Sequence, residues 1–339
     1  MPINGQIVLK ARPQGKAKLE HFEYRESPVP TPQAGEVVVR NLFLSLDPYM
    51  RGRMDAGKSY AAPQPLDEVM IGGTVGEVVA SQSTHLKVGD RVVGMGGWQH
   101  YVCSVDKAWR RIEDDRVPLS HYLGAVGMPG VTGWLGLNRI IEPKAGETIT
   151  VSSASGAVGS AVGHLAKQKG CRVVGIAGGS EKCRYVVEEL GFDECIDYKL
   201  HPDLMSLSKA LKAACPQGID GHFENVGGMI LDAVLIRSNA FARIAVCGMI
   251  AGYNGEPIPL QYPQLILTNR LKVQGFIVSE HMDVWPQALC ELAIAVGSGQ
   301  FRPRETVAMG LKNAPQAFLG LLEGANFGKQ VVNLQEDAA

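Results

Sequence analysis

Apolar and polar positions fall in short runs through the first third of the chain. Glu36-Val37-Val38-Val39-Arg40-Asn41-Leu42 follows a turn at Gly35. Val75-Gly76-Glu77-Val78-Val79 and Asp90-Arg91-Val92-Val93-Gly94 are β-branched runs set between glycines. Many short strands with Gly and Pro turns predict a barrel or partly open β fold over residues 1–120. The pattern changes near residue 124.

From there, apolar strand-like runs alternate with helical ones. Thr148-Ile149-Thr150-Val151-Ser152 reads as a buried strand. A glycine loop follows, then a helical run from Ser160 to Gln168 that Gly170 stops. Arg172 to Ala177 is a second strand, Glu181 to Leu190 a second helix ending at Gly191, and Cys195 to Tyr198 a third strand. Gly221 to Val226, Arg243 to Gly248 and Leu271 to Phe276 continue the series. Such alternation predicts a parallel sheet with helices on both faces, an α/β unit. A final strand-like run, Lys329 to Leu334, could return to the first domain.

Composition adds limits. The chain has 339 residues, 45% hydrophobic and 20% charged, which suits two soluble domains. A net charge of −1 gives no reason to expect nucleic acid or an anionic membrane surface. No run reaches the roughly 18 apolar residues of a membrane span, and the N-terminus lacks the layout of a signal peptide. The cytoplasm is the expected location. The seven cysteines are widely spaced and include no CxxC, so reduced thiols are expected.

Ser153-Ala154-Ser155-Gly156-Ala157-Val158-Gly159 carries the clearest chemistry. A strand, a tight turn and a helix N-terminus together bind a pyrophosphate, because the first amides of a helix lack internal partners and its dipole is positive there. Gly156 and Gly159 have the spacing of the last two glycines of GxGxxG. Ala154 replaces the first, and alanine adopts positive φ less freely. An acid at the end of the second strand would bond a ribose 2′-hydroxyl. Here Ile176-Ala177-Gly178-Gly179-Ser180 has none, and Lys182 follows. A hydroxyl and a cation beside exposed backbone suit a 2′-phosphate, so the expected cofactor is NADPH.

Further blocks carry a resemblance: Ser45-Leu46-Asp47-Pro48-Tyr49-Met50-Arg51, Gly127-Met128-Pro129-Gly130-Val131-Thr132-Gly133, Glu224-Asn225-Val226-Gly227-Gly228 and Gly324-Ala325-Asn326-Phe327-Gly328-Lys329. With the glycine loop, they make the chain resemble the zinc-independent branch of the medium-chain dehydrogenases/reductases. Within it, the chain is most similar to the prostaglandin reductase group, which includes leukotriene B4 12-hydroxydehydrogenase, alkenal double-bond reductase and bacterial curcumin reductase. The resemblance implies a GroES-like β-rich substrate domain over 1–123, rejoined by 306–339. It also implies a Rossmann NADPH-binding domain over 124–305, with the cofactor in the cleft between them. Gly156, Ala157, Val158 and Gly159 would hold the pyrophosphate, and Gly179, Ser180, Lys182 and Tyr198 the 2′-phosphate end. Asn225, the loop Cys247-Gly248-Met249-Ile250 to Tyr253, and Phe276-Ile277-Val278 would border the nicotinamide. Asn326 would reach a phosphate or ribose, Met128 and Thr132 would contact the cofactor, and Met128 and Pro129 would wall the pocket. Ser153, Gly252 and Ala325 depart from the residues common in relatives.

Zinc-dependent relatives carry Gly-His-Glu where this chain reads Ile71-Gly72-Gly73-Thr74, and the eight histidines are scattered, so no metal is expected. Without a Lewis acid, alcohol oxidation lacks activation, whereas hydride addition to an electron-poor alkene needs only a hydrogen-bond donor and a proton. Tyrosine supplies either while neutral, its ordinary pKa being about 10. Tyr253 and Tyr49 are the candidates, Tyr253 as donor to the enolate and Tyr49 mainly as a substrate contact. The expected reaction is NADPH-dependent reduction of the double bond of α,β-unsaturated aldehydes and ketones. Alternatives are quinone reduction, a non-catalytic NADPH-binding role, or dehydrogenation of a hydroxylated lipid. The resemblance also implies a homodimer, with the Leu271 to Phe276 strand pairing across a two-fold axis.

Overall fold

In the computed structural model, which describes residues 3–335, the chain divides into two compact units. The first comprises residues 3–123, 305–326 and 330–335. The second comprises Gly124–Arg304 with Phe327–Lys329.

The first unit holds β1 (Ile3–Leu9), β2 (Phe22–Pro28), β3 (Glu36–Ser45), the short helix α1 (Tyr49–Arg53), β4 (Thr74–Ser81), β5 (Arg91–Gly94), β6 (Tyr101–Val105) and β7 (Trp109–Arg111). The alternation read from the sequence appears as antiparallel ladders. β3 pairs with β4 and with β6, and β4 pairs with β5. Trp98, Phe22 and Phe318 fill the core as an aromatic trio with centroids 5.7–6.2 Å apart. Met50 of α1 and Met54, directly after it, are fully buried in the same cluster, which anchors the segment carrying Tyr49.

The second unit contains α2 (Met128–Leu135), β8 (Thr148–Ser152), α3 (Ala157–Gln168), β9 (Arg172–Ala177), α4 (Ser180–Glu188), β10 (Glu194–Asp197), α5 (Leu204–Ala214), β11 (Ile219–Glu224), α6 (Gly228–Arg237), β12 (Ser238–Val246), α7 (Gln264–Thr268), β13 (Lys272–Gly275) and α8 (Trp285–Gly297). The chain then adds β14 (Glu305–Met309), α9 (Ala314–Leu322) and β15 (Lys329–Asn333). β15 pairs antiparallel with β3.

The nucleotide unit's sheet has the order β10-β9-β8-β11-β12-β13, and every neighbouring pair is parallel. That is the doubly wound order, with its switch point between β8 and β11. Alternate residues of one strand feed opposite faces. Val174 and Ile176 of β9 pack with Leu207 and Leu211 of α5 and Val234 of α6. On the other face, Gly175 leaves room for Val186 of α4 and for Ala154, whose side chains would lie 2.9 and 2.8 Å from a β-carbon there. Among the described residues no helix is long and apolar enough to cross a membrane.

Among the boundaries that differ from the sequence expectation, two have a direct physical reason. The helix expected from Ser160 begins at Ala157, directly on the glycine loop. The strand expected to include Tyr198 stops at Asp197, because the Asp197 carboxylate accepts the Lys199 amide at 3.1 Å and caps a single helical turn over Tyr198–Leu200. Tyr198 is thereby lifted out of the sheet.

Candidate functional site

The chain leaves β8 through a turn in which Ser153, not Ala154, takes the left-handed conformation, with φ 51°. Ala154 instead keeps an ordinary backbone and is fully buried. A non-glycine residue in that region stores about 1–3 kcal/mol. The turn is closed by the Gly156 amide donating to the Ser153 carbonyl at 2.9 Å. Gly159 is required by contact, since a β-carbon there would lie 2.4 Å from the Ser153 carbonyl oxygen. α3 therefore starts hard against the loop. The first-turn amides of Ala157, Val158 and Gly159 have no carbonyl one turn behind them. This edge can hold an anion, as the glycine spacing implied.

The end of β9 has an open backbone and nearby cations that can hold an anion. Gly179 has φ 106°, and its amide donates to the Asp197 carboxylate at 2.8 Å. A β-carbon on Gly178 would meet the Tyr198 ring at 2.9 Å and the Lys199 side chain at 3.0 Å, so the glycine lets both lie against the backbone. The Lys182 ammonium is pushed below its ordinary value by burial and by the neighbouring Lys199 charge. Two cations that press on one another's charge favour an anion near them. Asp197 and Lys199 were missed in the sequence. Asp197 is the acid of this region, yet its carboxylate is taken up by two backbone amides instead of facing a ribose hydroxyl. The β-carbon cradles at Gly159 and Gly178, with the paired lysines, fit a 2′-phosphorylated dinucleotide.

The carboxyl tips of β8, β11 and β12 are locked by a buried polar network. The Glu224 carboxylate accepts the Ser152 hydroxyl at 2.6 Å and the Val226 and Gly227 amides at 2.6 and 3.1 Å. His222 lies 3.1 Å from its other oxygen and 2.8 Å from the Thr150 hydroxyl. Burial pushes the Glu224 carboxyl up. The His222 ring, the Ser152 hydroxyl and the Val226 amide outweigh it and hold the group below the usual carboxylate range. Asn225 is tied into the same network. Its side-chain amide donates to the Ser152 carbonyl at 2.7 Å, and its oxygen accepts the Cys247 thiol at 3.0 Å. The sequence marked Asn225 as a contact for the cofactor. In the fold its polar atoms bind the strand tips together.

The loop after β12 is zipped to this network, with the Ile250 and Ala251 amides donating to the Asn225 and Val226 carbonyls at 3.2 and 3.0 Å. Gly248 lies beneath the Tyr253 hydroxyl, 3.1 Å from where a β-carbon would stand. That hydroxyl accepts a long bond of 3.4 Å from the Met249 amide. Phe276 buries its ring against Phe223, centroids 6.2 Å apart, so it offers the site backbone and not a face. Ile277 is partly exposed and Val278 buried. Met128 and Thr132 are the partly exposed positions of an otherwise buried α2, one turn apart, with the Thr132 hydroxyl donating to the Met128 carbonyl at 2.8 Å.

In the first unit, Tyr49 stands at the start of α1, and its phenol is pushed well above its ordinary value by burial, then by Asp47. It stays neutral at physiological pH. Asn326 is partly exposed at the end of the first unit's second segment. A cavity of about 380 Å³ lined by Thr148, Arg172 and Glu194 lies at the amino ends of β8, β9 and β10, the opposite edge of the sheet from the glycine loop.

Comparison with known proteins decides the family. Residues 5–112 match the N-terminal domain of oxidoreductase, and residues 157–293 match the zinc-binding dehydrogenase domain. The chain is 44% identical over 341 residues to the NADPH-dependent curcumin reductase of Escherichia coli (strain K12), covering 98% of both. The chain belongs to the medium-chain dehydrogenase/reductase family. Within that family it is also 41% identical over 344 residues to the 2-alkenal reductase (NADP(+)-dependent) of Nicotiana tabacum, again covering 98% of both. The crystal structure of CurA in complex with NADPH from Vibrio vulnificus superimposes with a TM-score of 0.91, at 45% identity, over 98% of this chain and 99% of that one. A zinc ligand at Gly72 or Gly73, where zinc-dependent relatives carry a donor pair, does not fit the residues present. Gly72 and Gly73 carry no donor, and a β-carbon on Gly72 would meet Leu44 at 2.8 Å and Trp98 at 3.0 Å. Among the described residues no three His, Cys, Asp or Glu side chains gather as a ligand set.

Proposed function

We propose that the chain is an NADPH-dependent reductase of the carbon–carbon double bond of α,β-unsaturated aldehydes and ketones. Relatives named for curcumin and for 2-alkenals, matched over nearly their whole length, support this substrate class. The observation that carries the chemistry is the Tyr253 hydroxyl over the Gly248–Met249 backbone. It stands at the carboxyl end of β12, on the same sheet edge as the glycine loop.

The amides of Ala157, Val158 and Gly159, with Gly156, are assigned the pyrophosphate. Gly179, Ser180, Lys182 and Tyr198 are assigned the 2′-phosphate. Asn225, the Cys247 to Ile250 loop, Ile277 and Val278, with the Phe276 backbone, are assigned the nicotinamide end, Met128 and Thr132 a cofactor contact, and Met128 and Pro129 the pocket wall. Asn326 is assigned a phosphate or ribose contact. NADPH bound there supplies hydride to the β-carbon. Negative charge then gathers on the carbonyl oxygen of the substrate. The Tyr253 phenol donates a hydrogen bond to that oxygen or a proton to the α-carbon. Tyr49, held neutral by its surroundings, is assigned substrate contact. We extend the proposal to a homodimer along β13, a sheet-edge strand whose four residues are all exposed.

Deuterium in the transferable position of NADPH is expected on the β-carbon of a reduced enone. A labelled alcohol carbon would overturn the reading. Tyr253→Phe is expected to lower enone turnover about a hundredfold with NADPH affinity unchanged, measured by steady-state kinetics and cofactor titration. Unaltered turnover rejects the catalytic role.

A further inference from the structure

Two thiols that the mechanism does not use sit beside the 2′-phosphate end. Cys183, in the first turn of α4, and Cys195, on β10, are twelve positions apart in sequence, and their sulfurs lie 3.0 Å apart. That is inside the contact distance of two non-bonded sulfur atoms, and a disulfide at about 2.05 Å needs roughly 1 Å of further approach. Both residues are partly exposed. Cys183 adjoins Lys182, and Cys195 lies two residues before Asp197, whose carboxylate shapes the Gly179 turn.

We propose that Cys183 and Cys195 form a redox-responsive dithiol that a hydroperoxide converts to a disulfide, weakening NADPH binding. The link to NADPH rests on the assignment of Lys182 and Tyr198 to the 2′-phosphate. The Cys183 thiol is the attacking group. It is pulled below its ordinary value by the hydrogen bond with Cys195, and it stands at a helix N-terminus, which favours thiolate. Burial pushes the Cys103, Cys171, Cys215 and Cys247 thiols the other way, with Glu36 adding to it at Cys103.

The chemistry balances in two steps. The Cys183 thiolate attacks the peroxide, the O–O bond breaks, and the alkoxide leaves as an alcohol after taking a proton; Cys183 becomes a sulfenic acid. The Cys195 sulfur then attacks that sulfur, and hydroxide leaves as water with the Cys195 proton. The peroxide gains two electrons and the thiol pair loses two. The new bond draws the start of α4 toward β10 and displaces Lys182 relative to Tyr198 and Lys199.

The full-length protein is treated with hydrogen peroxide, then analysed by intact mass, peptide mapping and cofactor titration, with and without dithiothreitol. The expected result is loss of two hydrogens, a linked peptide joining Cys183 and Cys195, and an NADPH dissociation constant raised roughly tenfold, the worth of one charge-assisted hydrogen bond. NADH affinity stays constant and dithiothreitol reverses the change. Cys183→Ser and Cys195→Ser each abolish the linked peptide and the affinity change. The proposal is overturned if both thiols stay reduced, if Cys183 oxidises without linking, or if the disulfide forms with NADPH affinity unchanged. The preference of the reduced protein for NADPH over NADH separately reports whether the 2′-phosphate assignment holds.

Discussion

Lys182→Ala raises the dissociation constant for NADPH roughly tenfold to a hundredfold, because a charge-assisted hydrogen bond is worth about 1.5–3 kcal/mol. The constant for NADH stays nearly the same. The reason lies in the geometry at the end of β9. Burial and Lys199 already press on the Lys182 charge, so a phosphate between the two cations relieves a strain that a ribose hydroxyl leaves in place. The Tyr198 ring over Gly178 and the open backbone at Gly179 complete the recess. The wild-type preference for NADPH should also fall with added salt, since these groups are only partly buried. Cofactor titration by fluorescence, with both nucleotides at two ionic strengths, measures it. An equal effect of Lys182→Ala on both nucleotides would remove the 2′-phosphate from this position.

Glu224→Ala destabilises the protein by about 3–5 kcal/mol, the usual consequence of removing one partner from a buried charged network. It removes the acceptor shared by the Ser152 hydroxyl and the Val226 and Gly227 amides, and the Nε2 partner of the His222 ring, at a carboxylate that is fully buried. Because Ser152 also accepts the Asn225 amide at 2.7 Å, the tips of β8 and β11 loosen together and NADPH binding weakens with them. Glu224→Gln keeps an acceptor and loses the charge, so its effect is smaller. The pH dependence has a definite sign. The folded carboxyl lies below its ordinary value of 4.5, so its contribution is complete above that value and is lost as pH falls through the lower, folded value. The advantage of wild type over Glu224→Gln should therefore shrink on acidification. Chemical denaturation across pH measures both effects. A stability of Glu224→Ala equal to wild type would contradict the network.

The parallel sheet was legible because its strands are continuous apolar runs and its helices end at glycines such as Gly170 and Gly191, both at positive φ. The glycine loop was legible from spacing, but the residue bearing the backbone strain was not. GxGxxG logic points to Ala154, whereas the turn out of β8 falls on Ser153. Asp197 and Lys199 escaped notice because their role depends on β10 lying beside β9, a pairing between segments twenty residues apart. The Glu224 network did leave a signal. His222 and Glu224 are two apart on a strand buried on both faces, and Thr150 and Ser152 repeat that spacing on its neighbour β8. Polar side chains in such a pattern must satisfy one another. Asn225 shows the opposite case, a motif residue whose side chain is engaged by the fold itself.

The central claim is tested most directly by following NADPH oxidation against a panel of 2-alkenals, enones and quinones, with NADH as the parallel cofactor. The account predicts turnover of the unsaturated aldehydes and ketones with NADPH, saturated carbonyl products, and little activity with NADH. Turnover confined to quinones, or tight NADPH binding with no turnover of any unsaturated carbonyl, would contradict it.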